Sequence, residues 1–189
     1  MAEENNGAAA NGNASSGNAS NANASNTNEA PAAPNIQVMV QYTKDFSFEN
    51  PNAPMSLSGD VSQNSKINIV VNVEATPMAD DHFEVVLQLE ASAKDGEKVV
   101  FAAELYFGGV FKLHNCPPDT VHPMVMIECP RILFPFARRI ISDAIRDGGF
   151  PPLMIDPVDF TQLYRDSIVA NVEQSKAAEA AKAAKETKQ

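Results

Sequence analysis

Apolar and polar side chains alternate along the chain from Ile36, which is the pattern of a β-strand with one buried face. The apolar positions share one parity as far as Tyr42 and are followed by two aromatic positions: Ile36, Val38, Val40, Tyr42, Phe46 and Phe48. We expect this strand to end at Asn50-Pro51. Residues 50–65 are rich in proline and small polar residues and are longer than a hairpin needs. They predict a connection that crosses over the sheet or one of its edges.

Three more strands are predicted, over residues 66–74, 82–93 and 98–107. The first two alternate in period two, and Asp95-Gly96 after the second favours a two-residue hairpin turn. In the last strand both parities are largely apolar, which predicts that something packs on each face of the sheet. We expect Gly108-Gly109 to break this strand.

The second half of the folded region predicts two helices. The first covers residues 121–147 and ends at Gly148-Gly149, with interruptions expected at three prolines, Pro123, Pro130 and Pro135. The second is expected to begin at Asp156-Pro157, because an acidic cap followed by proline is typical of a helix start. Four antiparallel strands followed by two helices make an α+β fold.

Composition divides the chain into a folded region and two tails. Alanine (11) and asparagine (9) dominate the first 34 residues, which contain no aromatic or branched aliphatic side chain. Such a segment buries too little apolar surface to offset its ordering entropy, so we predict a disordered tail over residues 1–34. The folded domain is predicted over residues 35–172, and a flexible tail rich in alanine, lysine and glutamate over 173–189.

Most of the negative charge falls within the predicted domain. The net charge is −10, of which residues 1–34 carry −3 and residues 173–189 carry +1, so the domain carries −8. An acidic body repels phosphate backbones and anionic lipids, so nucleic acid and membrane surfaces are poor partners. Basic partners are favoured instead.

The chain shows no secretion signal and no apolar stretch near the ~20 residues that cross a bilayer. We therefore expect a soluble protein that stays in the cytoplasm. Its two cysteines, Cys116 and Cys129, form no Cys-x-x-Cys pair and are expected to remain reduced.

Motifs for catalysis or cofactor binding are absent from the sequence. It contains neither glycine-rich nucleotide loop nor a Gly-x-Ser-x-Gly elbow. The histidines His82, His114 and His122 match no familiar zinc spacing with the cysteines, so we interpret them as loop residues. Asp80 and Asp81, which precede His82, are interpreted as a turn. We therefore expect no enzyme activity, no metal and no cofactor.

Two other groups of residues have two interpretations each. Eight apolar residues lie in or beside predicted loops: Phe46, Phe48, Met55, Leu57, Phe150, Leu153, Met154 and Phe160. They either close the core or line a groove in which methionine and aromatic side chains adapt to many ligands. The carboxylates of Asp45, Glu49 and Glu104 are either solvated edge charges or a docking patch for a basic partner.

Six blocks of sequence resemble the SecB family of protein-export chaperones. They are Gln41 to Pro54, Phe83 to Leu87, Gly108 to Phe111, Cys129 to Arg138, Gly149 to Leu153 and Pro157 to Phe160. The likeness covers about residues 36–170, and the first and fourth blocks are long enough to be specific.

The resemblance implies a homotetramer, built as a dimer of dimers with the long first helix between the dimers. It also implies an ATP-independent holdase that binds unfolded precursor proteins in apolar grooves and delivers them to the SecA motor ATPase. Asp45, Glu49 and Glu104 correspond to the carboxylates that dock SecA, although the aliphatic contact beside Glu104 is only Ala102 here. The alternative is a binding or scaffold module of similar fold for a single folded partner.

Overall fold

The computed structural model describes residues 33–58 and 65–170, which form a four-stranded antiparallel sheet and helices. The strands are β1 (Asn35–Glu49), β2 (Lys66–Pro77), β3 (His82–Asp95) and β4 (Lys98–His114). The predicted α+β fold is therefore confirmed. Both predicted tails, over residues 1–34 and 173–189, lie outside the described ranges, except for residues 33 and 34.

The order of strands in the sheet is β1-β4-β3-β2, so β1 and β2 lie at opposite edges. The connection between them passes from one edge to the other, which confirms the predicted crossover. Its described part is anchored beside β4, where the side-chain amide of Asn52 donates to the carbonyl of Val99 (2.8 Å). A short 3-10 helix, Met55–Leu57, follows, and the buried Ser56 donates to Asn50 Oδ1 (2.6 Å).

Two bulges in β1 change which face its side chains occupy. The register against β4 shifts between Val38 and Val40 and again between Thr43 and Asp45. Each bulge inserts one residue that has no partner, and one inserted residue moves the following side chains to the other face. The single parity predicted from Ile36 to Tyr42 is therefore wrong: the side chains of Val40 and Tyr42 share the face opposite that of Val38.

Gly108 and Gly109 do not end β4, as the sequence predicted, but lie inside it. Side chains on the two faces of the sheet approach these glycines closely. A Cβ atom on Gly108 would lie 2.9 Å from the ring of Tyr42, and one on Gly109 would lie 2.9 Å from Leu133 Cδ2. The missing side chains thus make room for close packing on both faces, which is a recognised role of glycine within a strand.

The predicted hairpin and the predicted turn before β3 are confirmed. The two-residue loop of the hairpin is Gly96-Glu97 rather than Asp95-Gly96, because Asp95 is the last residue of β3, and Gly96 has a φ angle of +57°. Asp80 and Asp81 both have positive φ angles in the turn between β2 and β3, where His82 Nδ1 lies 3.0 Å from the carbonyl oxygen of Ala79. These three residues therefore shape a turn.

The first helical region is longer than predicted, and its three prolines interrupt it less than expected. It consists of α1 (Pro118–Pro123), a π-helical turn (Met124–Glu128) and α2 (Cys129–Asp147). The π-helical turn lies between Pro123 and Pro130, where the missing proline N–H groups interrupt the α-type hydrogen bonds. Pro130 is the second residue of α2, directly after this turn, and Pro135 lies inside the helix without ending it.

One face of α2 forms the core with one face of the sheet. The helix contributes residues spaced by four that are fully buried: Leu133, Ala137, Ile141 and Ile145. The sheet contributes odd-numbered residues of β3 and β4, which share one face: Val85, Leu87, Leu89, Leu105 and Phe111. We call this the helix face of the sheet and the opposite one the outer face.

The end of α2 confirms the predicted glycine stop. Gly149 has a φ angle of +92°, its N–H donates to the Arg146 carbonyl, and the Phe150 N–H donates to the Ile145 carbonyl (3.2 Å). This pair of bonds is the Schellman motif, in which the residue after the glycine packs back on the helix. Phe150 is accordingly buried.

The last helix, α3, starts later than predicted. Residues 160–170 are helical, whereas residues 156–159 have no regular secondary structure. The carboxylate of Asp159 accepts the backbone N–H groups of Thr161 (2.9 Å) and Gln162 (3.1 Å), which is the contact of an N-cap. Asp159, rather than Asp156, therefore caps α3.

Replacement of Gly109 by alanine is expected to lower the free energy of unfolding by about 1–3 kcal/mol, because the new Cβ would overlap Leu133 in the core. Urea titration followed by circular dichroism measures this change. Gly108→Ala is the matched control, because the tip of the half-exposed Tyr42 side chain can move away. An equal loss in both variants would contradict the close packing of α2 at Gly109.

The two thiols are expected to differ in reactivity. Burial, with the charge of Glu128 and the neighbouring Cys116 adding to it, raises the pKa of Cys129 to about 12, and its side chain is inaccessible. At about pH 8 almost no thiolate forms there, so only Cys116 should react quickly with a disulfide reagent. The Cys116→Ser variant should react slowly when native and rapidly in denaturant; rapid reaction of the native variant would contradict the packing of Cys129.

Candidate functional site

Three acidic side chains singled out in the sequence lie together on the outer face of the sheet. In the register of β1 against β4, Glu104 is opposite Ser47, which lies between Asp45 and Glu49 along β1. Residues two apart on a strand share a face, so all three carboxylates point away from the helices. The second bulge of β1 causes this arrangement, because it turns the odd-numbered side chains that follow it, including Asp45 and Glu49, to the outer face.

A fourth carboxylate, Glu90 on β3, lies directly opposite Glu104. Two neutral side chains connect the pair. The amide of Gln88 donates to Glu90 (2.7 Å) and Glu104 (3.3 Å), and the hydroxyl of Tyr106 donates to Glu104 (2.7 Å). The hydrogen bond to Glu104 is the main reason that the pKa of Tyr106 is raised to about 12, so this hydroxyl remains a donor at neutral pH.

The outer face has a depression of about 240 Å³ among these carboxylates. Its lining consists of Ser47, Glu49, Asn68, Glu90, Ala91, Ser92, Ala102, Ala103 and Glu104. Ala102, opposite Glu49, leaves space because its side chain is a single methyl group. Across residues 33–58 and 65–170, no ion pair joins a lysine, arginine or histidine to Glu49, Glu90 or Glu104. The depression is therefore rimmed by uncompensated negative charge.

Another carboxylate on the outer face, Glu84, is compensated within the chain. It accepts hydrogen bonds from the hydroxyl of Tyr42 and from Lys44 Nζ (2.9 Å). These two bonds hold the pKa of the Glu84 carboxyl below its usual range, and the bond to Glu84 raises that of Tyr42 to about 12. The negative potential of the outer face is thus concentrated at the other end of β1.

The helix face carries a row of three aromatic rings. Phe48 of β1 stacks on Phe101 of β4 with ring centroids 6.5 Å apart, and Phe101 contacts Phe150 at 5.1 Å. The Schellman motif directs Phe150 to this position. The row joins one sheet edge to the loop after α2.

Open apolar surface lies on both sides of the aromatic row. A cleft of about 250 Å³ is lined by Ser65, Ile67, Ala93, Val100, Phe101, Phe150, Pro151, Pro152 and Leu153. A wider depression of about 550 Å³ is lined by Phe46, Phe48, Ile140, Asp143, Ala144, Asp147 and Gly148. Both are large enough to admit apolar side chains of another chain.

The eight apolar residues singled out in the sequence differ in exposure. Four are exposed, namely Met55 (73 %), Met154 (71 %), Leu57 (43 %) and Phe46 (38 %). Two are partly buried, Phe48 and Leu153, and two are buried, Phe150 and Phe160. Phe160 packs against the edge of Phe134 (5.9 Å between centroids) in the core, so it presents no surface to a ligand here.

Some site residues were not singled out from the sequence. Phe101, Ile67 and Ile140 line the apolar clefts, and Gln88, Glu90 and Tyr106 organise the acidic face. The alternation of β3 placed Gln88 and Glu90 on its polar parity, whereas Tyr106 lies in β4, where both parities are largely apolar. Strand register was needed to show that the three meet. Ile67 belongs to the apolar parity of β2 and is exposed because β2 is an edge strand.

Within the described residues, no three histidine, cysteine, aspartate or glutamate side chains form a group that could hold a metal ion. None of the helices in the same part of the chain has the length and apolar character needed to cross a bilayer.

Comparison with known proteins gives consistent matches. The family model described as preprotein translocase subunit SecB matches residues 29–171. A protein-export protein SecB of Rhodopseudomonas palustris strain HaA2 is 56 % identical over 140 residues, which cover 74 % of this chain and 88 % of the relative. The protein of the same name in strain BisB18 is 53 % identical over 154 residues, covering 82 % and 93 %. That of Bradyrhizobium diazoefficiens is 56 % identical over 140 residues, covering 74 % and 86 %.

A solved structure shows the same fold at low sequence identity. It is a SecB-like chaperone of Mycobacterium tuberculosis in complex with a ChAD peptide from the HigA1 antitoxin. The TM-score is 0.55 at 14 % identity, and the match covers 65 % of this chain and 90 % of the other. With its sheet of two unlike faces and the family model matching most of its length, the chain belongs to the SecB family of protein-export chaperones.

Proposed function

We propose that this export chaperone acts as an ATP-independent holdase that binds unfolded precursor proteins on the helix face and passes them to the SecA motor ATPase. The observation that carries the proposal is the open apolar surface beside the Phe48–Phe101–Phe150 row, together with the exposed side chains of Met55 and Met154. An unfolded chain presents apolar side chains that this surface can remove from water, at about 25 cal/mol per Å² buried. No chemical step is required of the chaperone.

The exposed side chains suit ligands of many sequences. Met55 and Met154 are unbranched and polarisable, so they adjust to differently shaped apolar groups. The precursor-binding groove proposed here comprises Phe46, Phe48, Met55, Leu57, Phe150, Leu153 and Met154, with Phe160 supporting it from the core. Several weak contacts along one extended client give avidity without a fixed recognition sequence.

We further propose that Asp45, Glu49 and Glu104 dock SecA on the outer face. The uncompensated carboxylates around the 240 Å³ depression support this, because they attract a basic partner. Clients on the helix face and a motor on the outer face would not compete for the same surface. The chaperone could therefore hold a precursor while it is docked, and transfer would need no nucleotide bound to it.

We also propose a homotetramer, built as a dimer of dimers, that works in the cytoplasm. The exposed edge of the sheet supports the assembly. β1 is a long edge strand with an exposed apolar stretch: Val38 (38 %), Met39 (50 %) and Val40 (49 %). Edge strands of this kind are usually covered, since free backbone groups and apolar side chains promote pairing. Phe136 on α2 is also exposed and adds to the apolar surface available for assembly.

The holdase proposal predicts that the protein slows the refolding of a slow-folding precursor in the absence of ATP. Light scattering of the same sample should show the mass of a tetramer. Met55→Ser and Met154→Ser should each weaken client binding by about fivefold, which corresponds to about 1 kcal/mol of lost apolar contact. Met78→Ser is the matched control, because Met78 is also exposed (53 %) but lies in the turn between β2 and β3. Undisturbed refolding, with binding of one folded ligand instead, would favour the single-partner scaffold.

The docking proposal predicts that Asp45→Asn, Glu49→Gln and Glu104→Gln each weaken SecA binding by about two- to fivefold at low salt. Titration calorimetry at two ionic strengths measures the change, which should shrink as salt screens the charges. Glu97→Gln removes the same charge at the β3–β4 turn and should leave the affinity unchanged. Equal weakening by all four variants would show that only the net charge matters.

A further inference from the structure

The pair Glu90 and Glu104 is an unfavourable arrangement for an isolated sheet. The two residues lie directly opposite each other on neighbouring antiparallel strands, where like charges repel. No ion pair offsets this repulsion within residues 33–58 and 65–170. Glu84 on the same face shows the usual solution, since Lys44 pairs with it at 2.9 Å.

Two neutral donors hold the two carboxylates together. Gln88 Nε2 lies 2.7 Å from Glu90 Oε1, 3.3 Å from Glu104 Oε1 and 2.9 Å from the hydroxyl of Tyr106. The Tyr106 hydroxyl in turn donates to Glu104 Oε1 at 2.7 Å. These contacts fix the Glu104 carboxylate without neutralising it, so its charge remains available to a partner.

Tyr106 is also well placed relative to β1. It is the register partner of Asp45, and Glu104 is the partner of Ser47. The Tyr106 hydroxyl therefore donates to Glu104 from the side on which Asp45 lies, and the Gln88 amide donates to Glu104 from β3. A side chain that is held in one rotamer before binding loses less entropy when a partner pairs with it.

We infer that Tyr106 is a positioning residue for docking: with Gln88 it holds Glu104 beside Glu90 as one preorganised, doubly negative contact for a cationic side chain of the partner. This inference rests on the proposed docking of SecA through Glu104. It adds Glu90 to the docking contact. It also gives Tyr106 the role of holding the Glu104 carboxylate in place, which differs from a direct charged or apolar contact with the partner.

The test is a double-mutant cycle between Tyr106→Phe and Glu104→Gln, with SecA affinity measured by titration calorimetry at low salt. Tyr106→Phe alone should weaken binding by roughly three- to tenfold, the size expected for the loss of one typical hydrogen bond. In the Glu104→Gln background the same change should have almost no further effect, because the carboxylate that it positions is gone. Glu90→Gln should weaken binding to a similar extent as Glu104→Gln.

Tyr164→Phe is the matched control, since it removes a hydroxyl whose partner is His122 Nδ1 (2.8 Å) rather than Glu104, and it should not change SecA affinity. Thermal unfolding verifies that all variants are folded. If Glu104→Gln leaves the affinity unchanged, the docking proposal itself fails. If Glu104→Gln weakens binding but Tyr106→Phe does not, or weakens it equally in both backgrounds, docking stands and the positioning role of Tyr106 is overturned.

Discussion

The packing of α2 against β3 and β4 is the interaction on which the rest of the structure depends. Leu133, Ala137, Ile141 and Ile145 cover one face of the two central strands, and Gly109 permits the close approach. In the described residues the helices pack on this face alone, although the apolar residues of β4 had predicted cover on both. One face of the sheet therefore belongs to the core, and the other remains free for polar side chains. Because α2 covers one face of the sheet, the apolar surface and the acidic surface lie on opposite faces.

The bulges of β1 adapt the edge strand to both surfaces at once. Without the shift between Thr43 and Asp45, Phe46 and Phe48 would point outward and Asp45 and Glu49 would face the helices. With it, Phe48 joins Phe101 and Phe150, Phe46 lies beside Phe48 in the wider apolar depression, and the carboxylates lie on the same face as Glu104. The strand thus supplies one half of each proposed binding surface. This division places the proposed client surface and the proposed docking surface on opposite faces of the sheet.

Compensated and uncompensated charges are distributed differently over the outer face. Lys44 and Tyr42 satisfy Glu84, whereas Glu90 and Glu104 are bridged only by the neutral donors Gln88 and Tyr106. Neutral donors orient a carboxylate while leaving its field intact, which a lysine would not do. The arrangement carries some loss of stability from repulsion, and a cationic partner would relieve it. The outer face is therefore organised for binding rather than for stability alone.

The sequence by itself determined the four strands, the crossover, the glycine stop of α2 and the family, because periodicity and turn chemistry are local properties and six sequence blocks are specific. Tertiary structure alone decided the continuation of β4 through Gly108 and Gly109 and the faces of Val40 and Tyr42. It also decided that Phe160 lies in the core while Met55 and Met154 are exposed, and that Glu90 meets Glu104. These features depend on bulges, strand register and close contacts between distant segments, and no local pattern of side chains encodes them.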